Sequence, residues 1–260
     1  NPDVIYAGTG ELYRNNAIPY TAMSGAGILR SRDGGHSFQQ LLATASDDFR
    51  YISDLVVSRV DPRRVYAATN SGLWRSPDSG ASWQRVLRPA NAAGEASYEG
   101  CTDLLALPID GRDVLLAACA SRSLDDRYYQ PGSVLPPACS GPCPGAVFRN
   151  DDAGGSGTWQ TVLSETGMGR TSLEVARSDP NVVYALSSSI VPGFDRTGDG
   201  YGDYDNGLHA LFRSEDGGRT FSARLRNDSP DALSTYLLSY ADGFDAPRCG
   251  FGSVWVYSAG

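Results

Sequence analysis

The chain has 260 residues and a formal net charge of -8, room for one large all-β domain or two small ones. That acidic balance excludes a phosphate-reading nucleic-acid binder, which needs a basic face, and all 22 basic residues are Arg, which excludes a phosphate loop built on Lys. No apolar run reaches the ~18 residues that span a bilayer, so no transmembrane segment is expected, and no basic stretch followed by an apolar one marks a signal peptide.

The 30 Gly and 15 Pro point to many short strands joined by turns. The chain opens on a turn running into a β-branched, aromatic strand, Asn1-Pro-Asp-Val-Ile-Tyr6-Ala. The same unit returns at Asp61-Pro-Arg-Arg-Val-Tyr66-Ala, degenerately at Asp110-Gly-Arg-Asp-Val-Leu115-Leu, at Asp179-Pro-Asn-Val-Val-Tyr184-Ala, and last at Val254-Trp-Val-Tyr257-Ser-Ala. A second unit follows each of the first four. It reads Leu29-Arg-Ser-Arg-Asp33-Gly-Gly-His-Ser-Phe38, Trp74-Arg-Ser-Pro-Asp78-Ser-Gly-Ala-Ser-Trp83, Phe148-Arg-Asn-Asp-Asp152-Ala-Gly-Gly-Ser-Gly-Thr-Trp159 and Phe212-Arg-Ser-Glu-Asp216-Gly-Gly-Arg-Thr-Phe221. Repeats of this length mark a fold made of supersecondary units that bury their faces against one another.

These residues resemble the Asp-box (BNR) repeats of sialidases, xyloglucanase-type glycoside hydrolases, sortilin-type domains and photosystem II assembly-factor propellers. The resemblance covers nearly the whole chain and implies an all-β fold, a β-propeller of four-stranded antiparallel blades. Enzymes and non-enzymes share the motif, so it specifies fold and not function. Asp33, Asp78, Asp152 and Asp216 are expected to be structural, each accepting hydrogen bonds from its own turn, with Gly supplying positive φ.

With strands lettered A to D from the channel outward, the second blade reads A over 51–58, B over 64–69, C over 72–76 and D over 82–87. The whole of 1–260 is one propeller region. Blade one is partial (1–45), blades two, three and four span 46–90, 98–165 and 170–226, and a partial fifth covers 233–260. The count is four to five blades, and a chain that opens and closes on a B strand is expected to be part of a larger ring.

Four of the five cysteines fall in two pairs. Cys139 and Cys143 lie in a Pro-rich stretch with no His or further Cys nearby to complete a zinc site, so a small disulfide loop is expected there. Cys101 and Cys119 are equidistant from Asp110, the expected centre of a hairpin turn. They face each other as a disulfide or as a pair of buried thiols. Cys249 is left over. This usage suits an oxidising, extracytoplasmic compartment: secreted, periplasmic or cell-surface.

Antiparallel order puts the Asp boxes on one face and the B–C loops on the other. From the strand-B residue to the box Asp the chain runs 12 residues in blade two, 27 in blade one, 37 in blade three (counted from Leu115) and 32 in blade four. Long loops gathered on one face of a repeat scaffold form its binding surface. They carry Tyr13, Tyr20, Tyr128, Tyr129, Tyr201 and Tyr204, which suit stacking on a sugar or anchoring a protein partner.

Blade four's loop also holds Asp195-Arg-Thr197-Gly-Asp199-Gly200-Tyr201-Gly-Asp203, spaced like a calcium loop. The side chains of Asp195, Thr197, Asp199 and Asp203 and the carbonyl of Tyr201 would supply hard oxygens to Ca2+. Thr197 departs from the usual carboxylate or amide. Asn227-Asp-Ser229 matches a glycosylation sequon followed by Pro230.

Sialidase chemistry implies an arginine triad and an Arg-Ile-Pro signature, and the signature is absent. A xyloglucanase-type hydrolase implies two carboxylates across a cleft. Asp54 and Asp103 occupy matching strand-A positions in Ile-Ser-Asp54-Leu and Cys-Thr-Asp103-Leu, blade four carrying Leu173-Glu174 instead, and Glu11 is a third carboxylate candidate. Recurrence in adjacent blades favours a structural role. His36 and His209 have no evident Ser or Cys partner. The leading expectation is a non-catalytic module docking onto a protein assembly or surface polysaccharide, with a glycoside hydrolase as the alternative.

Overall fold

The computed structural model describes residues 2–10, 24–88, 100–119, 145–155, 157–189 and 208–226. The expected fifth blade, 233–260, lies outside the described residues. Four antiparallel sheets follow one another along the chain. The first is β1 (Ile5–Gly8), β2 (Ile28–Ser31) and β3 (Gln39–Gln40). The second is β4 (Ile52–Val57), β5 (Val65–Thr69), β6 (Gly72–Ser76) and β7 (Gln84–Leu87). The third is β8 (Cys101–Ile109), β9 (Arg112–Cys119), β10 (Ala146–Asn150) and β11 (Gln160–Leu163). The fourth is β12 (Met168–Val175), β13 (Val183–Ser189), β14 (Leu208–Ser214) and β15 (Ser222–Arg226). Each strand pairs with its chain neighbour, the meander of a propeller blade.

The core sits in the joints between blades, because the B strands alternate between two buried faces. In β5, Ala67 belongs to the cluster shared with blade one, with Ile28, Phe49 and Ile52. Its neighbours Tyr66 and Ala68 pack with Leu104, Leu115 and Ala117 of blade three. In turn Leu116 and Ala118 of β9 pack with Val183 and Ala185 of blade four. A strand buried on both faces loses the polar alternation of an exposed sheet, which is why these strands read as apolar runs.

Register corrects three expectations. Asn150 pairs with Leu115 as Ser76 pairs with Val65, so Leu116, not Leu115, is blade three's counterpart of Tyr66. The degenerate copy holds one more residue than the others. In strand A, Asp54 pairs with Ala68 and Asp103 with Ala118. The same register step in blade four is Ser172 opposite Leu186, so Ser172-Leu173, not Leu173-Glu174, stands there. The blade-three hairpin turns on two residues, Asp110 and Gly111, at φ 50° and 69°, and Ile109 pairs with Arg112. A bulge between Cys101 and Asp103 then slips the register by one, and this slip brings Cys101 opposite Cys119.

Candidate functional site

The Asp boxes are built from within. Ser31 Oγ donates to Asp33 Oδ1 (2.7 Å) and accepts from the amide of Gly35 (2.8 Å). Asp33 also accepts from Ser37 through its amide (2.9 Å) and hydroxyl (2.5 Å). Blades two and four repeat this set at Ser76, Asp78 and Ser82 and at Ser214, Asp216 and Thr220. The Ser37 hydroxyl, then the Ser31 hydroxyl, lower the Asp33 carboxyl to about 2. In blade three Asn150 replaces the serine, accepting from the Asp152 amide (2.9 Å) and donating to Gly157 O (3.0 Å). Asp33, Asp78 and Asp216 thus each spend their carboxylate oxygens on the backbone and hydroxyls of their own turn.

The box Arg works across the joint. Arg30 Nη1 donates to Ser79 O (2.5 Å), Arg75 Nη1 to Ala153 O (2.7 Å), and Arg149 Nη1 to Gly217 O. Each acceptor is the carbonyl one residue after the next blade's box Asp. Sequence reasoning missed this ladder because a backbone carbonyl leaves no residue signature.

A second joint element was also missed. Asp113, 2% exposed, accepts from Ser58 Oγ (2.6 Å), Tyr66 OH (2.9 Å) and Arg64 Nη1. Burial, with the Asp113 carboxylate beside it, pushes the Tyr66 phenol well above its usual range.

Asp54 and Asp103 lie one blade apart on the inner strands. Asp54 accepts from the Leu55 amide at 2.7 Å and from the Leu104 amide, across the joint, at 3.0 Å. Asp103 accepts from Leu104 at 2.8 Å and from Leu173, across the next joint, at 2.8 Å. Both carboxylates therefore touch one amide. Inverting hydrolysis needs about 6.5–9.5 Å between its carboxyl groups to admit a water, and two carboxylates sharing one N–H do not leave that space. Burial first, then the Asp54 charge among the causes that raise it, pushes the Asp103 carboxyl up to about 6.

Cys101 and Cys119 form a disulfide at the end of the hairpin where the 120–144 connection begins. His209, facing Glu165 at 3.8 Å, has its pKa lowered by burial, and its buried Nε2 has no hydrogen-bond partner among the described residues. Glu11, Tyr13, Tyr20, Tyr128, Tyr129, Cys139, Cys143, Asp195, Thr197, Asp199, Tyr201, Asp203, Tyr204 and Cys249 lie outside the described residues. Among the described residues no group of three His, Cys, Asp or Glu side chains could hold a metal ion, and no helix is long and apolar enough to cross a membrane.

No protein-family model matches the chain, and no curated protein sequence does. Among solved structures it is similar to an ancestral GH74 enzyme, at 20% identity and TM-score 0.50 over 79% of this chain and 22% of that one. It is also similar to the GH74 enzyme of Niastella koreensis, at 16% identity and TM-score 0.52 over 88% of this chain and 28% of that one. YCF48 from Cyanidioschyzon merolae aligns at 14% identity over 79% of this chain and 67% of that one, with a TM-score of 0.36 too low to compare further. The chain spans less than a third of either GH74 protein. At these identities the likeness is one of fold: the chain is a β-propeller with Asp-box repeats.

Proposed function

We propose that this chain is a non-catalytic, extracytoplasmic binding or assembly module, docking through its long B–C connections onto a protein complex or a surface polymer. The observation that most supports this reading is where length has been added. Two residues separate β5 from β6, whereas 19 separate β1 from β2, 26 separate β9 from β10 and 18 separate β13 from β14. All leave the same edge of the blades, opposite the boxes, and long connections on a rigid scaffold are where binding residues concentrate. The Cys101–Cys119 disulfide supports an oxidising compartment. Calcium held by Asp195, Thr197, Asp199, Asp203 and the Tyr201 carbonyl belongs to the same proposal, as a brace for the blade-four connection.

The test replaces 120–144 with a short Gly/Ser linker and follows co-sedimentation with cell-surface polysaccharide and cross-linking to proteins of the source extract. Loss of both by tenfold or more, with the fold kept, is expected. Undiminished binding overturns the assignment to this face. The second reading, a glycoside hydrolase of xyloglucanase type, draws on the fold likeness to GH74 enzymes, but the mutual engagement of Asp54 and Asp103 argues against it.

A further inference from the structure

A largely buried histidine stands at the joint between blades three and four, and backbone register puts it there. Leu208 pairs with Ser188 and Ala210 with Ser187, so the bulge between β13 and β14 falls on His209. A bulge re-aims the side chain it carries. The His209 side chain is 14% exposed, and its ring centroid lies 6.3 Å from that of Phe212, which belongs to the core shared with blade three.

Among the described residues two charged groups act on this ring, each from a different element. Glu165, in the connection from β11 to β12, places Oε1 3.8 Å from Nε2. Arg226, on β15, donates from Nη2 to both Glu165 oxygens at 3.0 Å, and its guanidinium lies 5.5 Å from the centre of the Phe212 ring. From the other edge of β14, β13 brings Ser187 and Ser188. One carboxylate thus stands between a ring that can gain a charge and a guanidinium that always carries one. Burial first, with Arg226 in the same direction and Glu165 against it, holds the His209 pKa below the ordinary 6.5. A lowered value means that the native joint favours the neutral ring, a contribution present above 6.5 and lost as pH falls through the folded-state value.

We propose that His209 is a proton-operated switch in this joint: protonation draws Glu165 toward the imidazolium and loosens its hold on Arg226. With the ring neutral, the carboxylate belongs to Arg226. An imidazolium donates from both nitrogens, so whichever tautomer precedes it, the protonated ring carries an N–H on Nε2, beside Glu165. A charged hydrogen bond of this kind is about 2.7–2.9 Å long, so Oε1 must come about 1 Å nearer, and two cations then compete for one carboxylate. The proton comes from solvent, and no covalent bond between heavy atoms changes. The switch sits where 190–207 re-enters the blade, since β14 begins at Leu208. Acidification therefore acts at the root of the blade-four connection.

NMR titration of the full chain tests this. The chain has two histidines, so His36→Gln leaves a single imidazole signal to follow. That ring should titrate below 6.5, lower still when Glu165→Gln is added and higher when Arg226→Gln is added. The side-chain Nε–H signal of Arg226 should shift with the same midpoint as the ring. Across that window it should stay fixed in His209→Gln, and also in Glu165→Gln, where no carboxylate is left to be contested. A shift that persists in Glu165→Gln would report the direct field of the imidazolium and overturns the exchange of partners. So does a ring that titrates at or above 6.5, a ring that stays neutral until the fold is lost in acid, or an Arg226 signal that does not move at the His209 midpoint.

Discussion

The carboxylates of Asp54 and Asp103 meet on one backbone amide, that of Leu104, at 3.0 and 2.8 Å. The pair joins blades two and three, and Asp103 extends the run to Leu173 of blade four. Desolvation with a like charge alongside favours the neutral form of a carboxyl, and the Asp103 carboxyl is accordingly pushed up from the ordinary value of 3.8 to about 6. A raised folded-state value means that the native state holds the extra proton. The contribution is complete below about 3.8 and is lost as pH rises to about 6, a fall of about 3 kcal/mol. Denaturant unfolding across this window should show the fall. Asp54→Asn should move its upper end below about 6, and an unchanged profile in that variant would contradict the shared-amide account.

The boxes give the opposite sign in a lower window. Asp33 is held down to about 2 by the hydroxyls of Ser37 and Ser31, so its contribution is present above 3.8 and is lost as pH falls toward 2. The buried Ser76 tests the turn at neutral pH, since its hydroxyl serves both Gly80 N and Asp78. Ser76→Ala should cost about 1–3 kcal/mol by leaving the Gly80 amide unpaired, measured as a lower denaturation midpoint with unchanged slope.

Much of this was legible in the residues, and the rest was hidden for specific reasons. The box pattern and the repeated turn-to-apolar-strand unit around Tyr66 reveal the blades, because turn chemistry and double-sided burial both leave residue signatures. The bulges before Asp54 and Asp103 do not, because one slipped residue changes no composition. So Leu115 reads as the repeat counterpart of Tyr66 when Leu116 is, and Leu173-Glu174 reads as blade four's equivalent of Asp54-Leu55 when Ser172-Leu173 holds that place. The Arg30, Arg75 and Arg149 ladder ends on carbonyls that any residue could supply. Asp113 reads as part of a degenerate turn, although its role is set by Arg64 and Tyr66 from another blade.

That Asp113 knot should be the most costly polar site to break. Asp113→Ala leaves the half-buried Arg64 with only the more distant Asp61 carboxylate at 3.9 Å, and breaking a buried pair on one side costs about 3–5 kcal/mol. Tyr66→Phe removes one hydrogen bond to the same carboxylate and should cost about 1.5–3 kcal/mol, the range for a bond to a charged group. Equal effects from the two variants would contradict a charge-centred knot.

Two glycines with similar φ separate conformational strain from steric exclusion. Gly111 has φ 69° and nothing within 4 Å of an added Cβ, whereas a Cβ on Gly100, at φ 61°, would lie 1.9 Å from Thr69 O. Gly111→Ala should cost about 1 kcal/mol, and Gly100→Ala clearly more, because a backbone atom of the neighbouring blade must move. Thermal unfolding of the pair decides it, and comparable midpoints would mean that the joint at Gly100 is loose.

The proposed non-catalytic role is tested most directly by reducing-end release. The chain should be incubated with a panel of cell-wall polysaccharides beside Asp54→Asn and Asp103→Asn. Because both carboxylates are spent on backbone amides, the wild type is predicted to release no more reducing ends than a protein-free control while still sedimenting with a polymer or a partner. Release that disappears in both variants would contradict the account and make the pair catalytic.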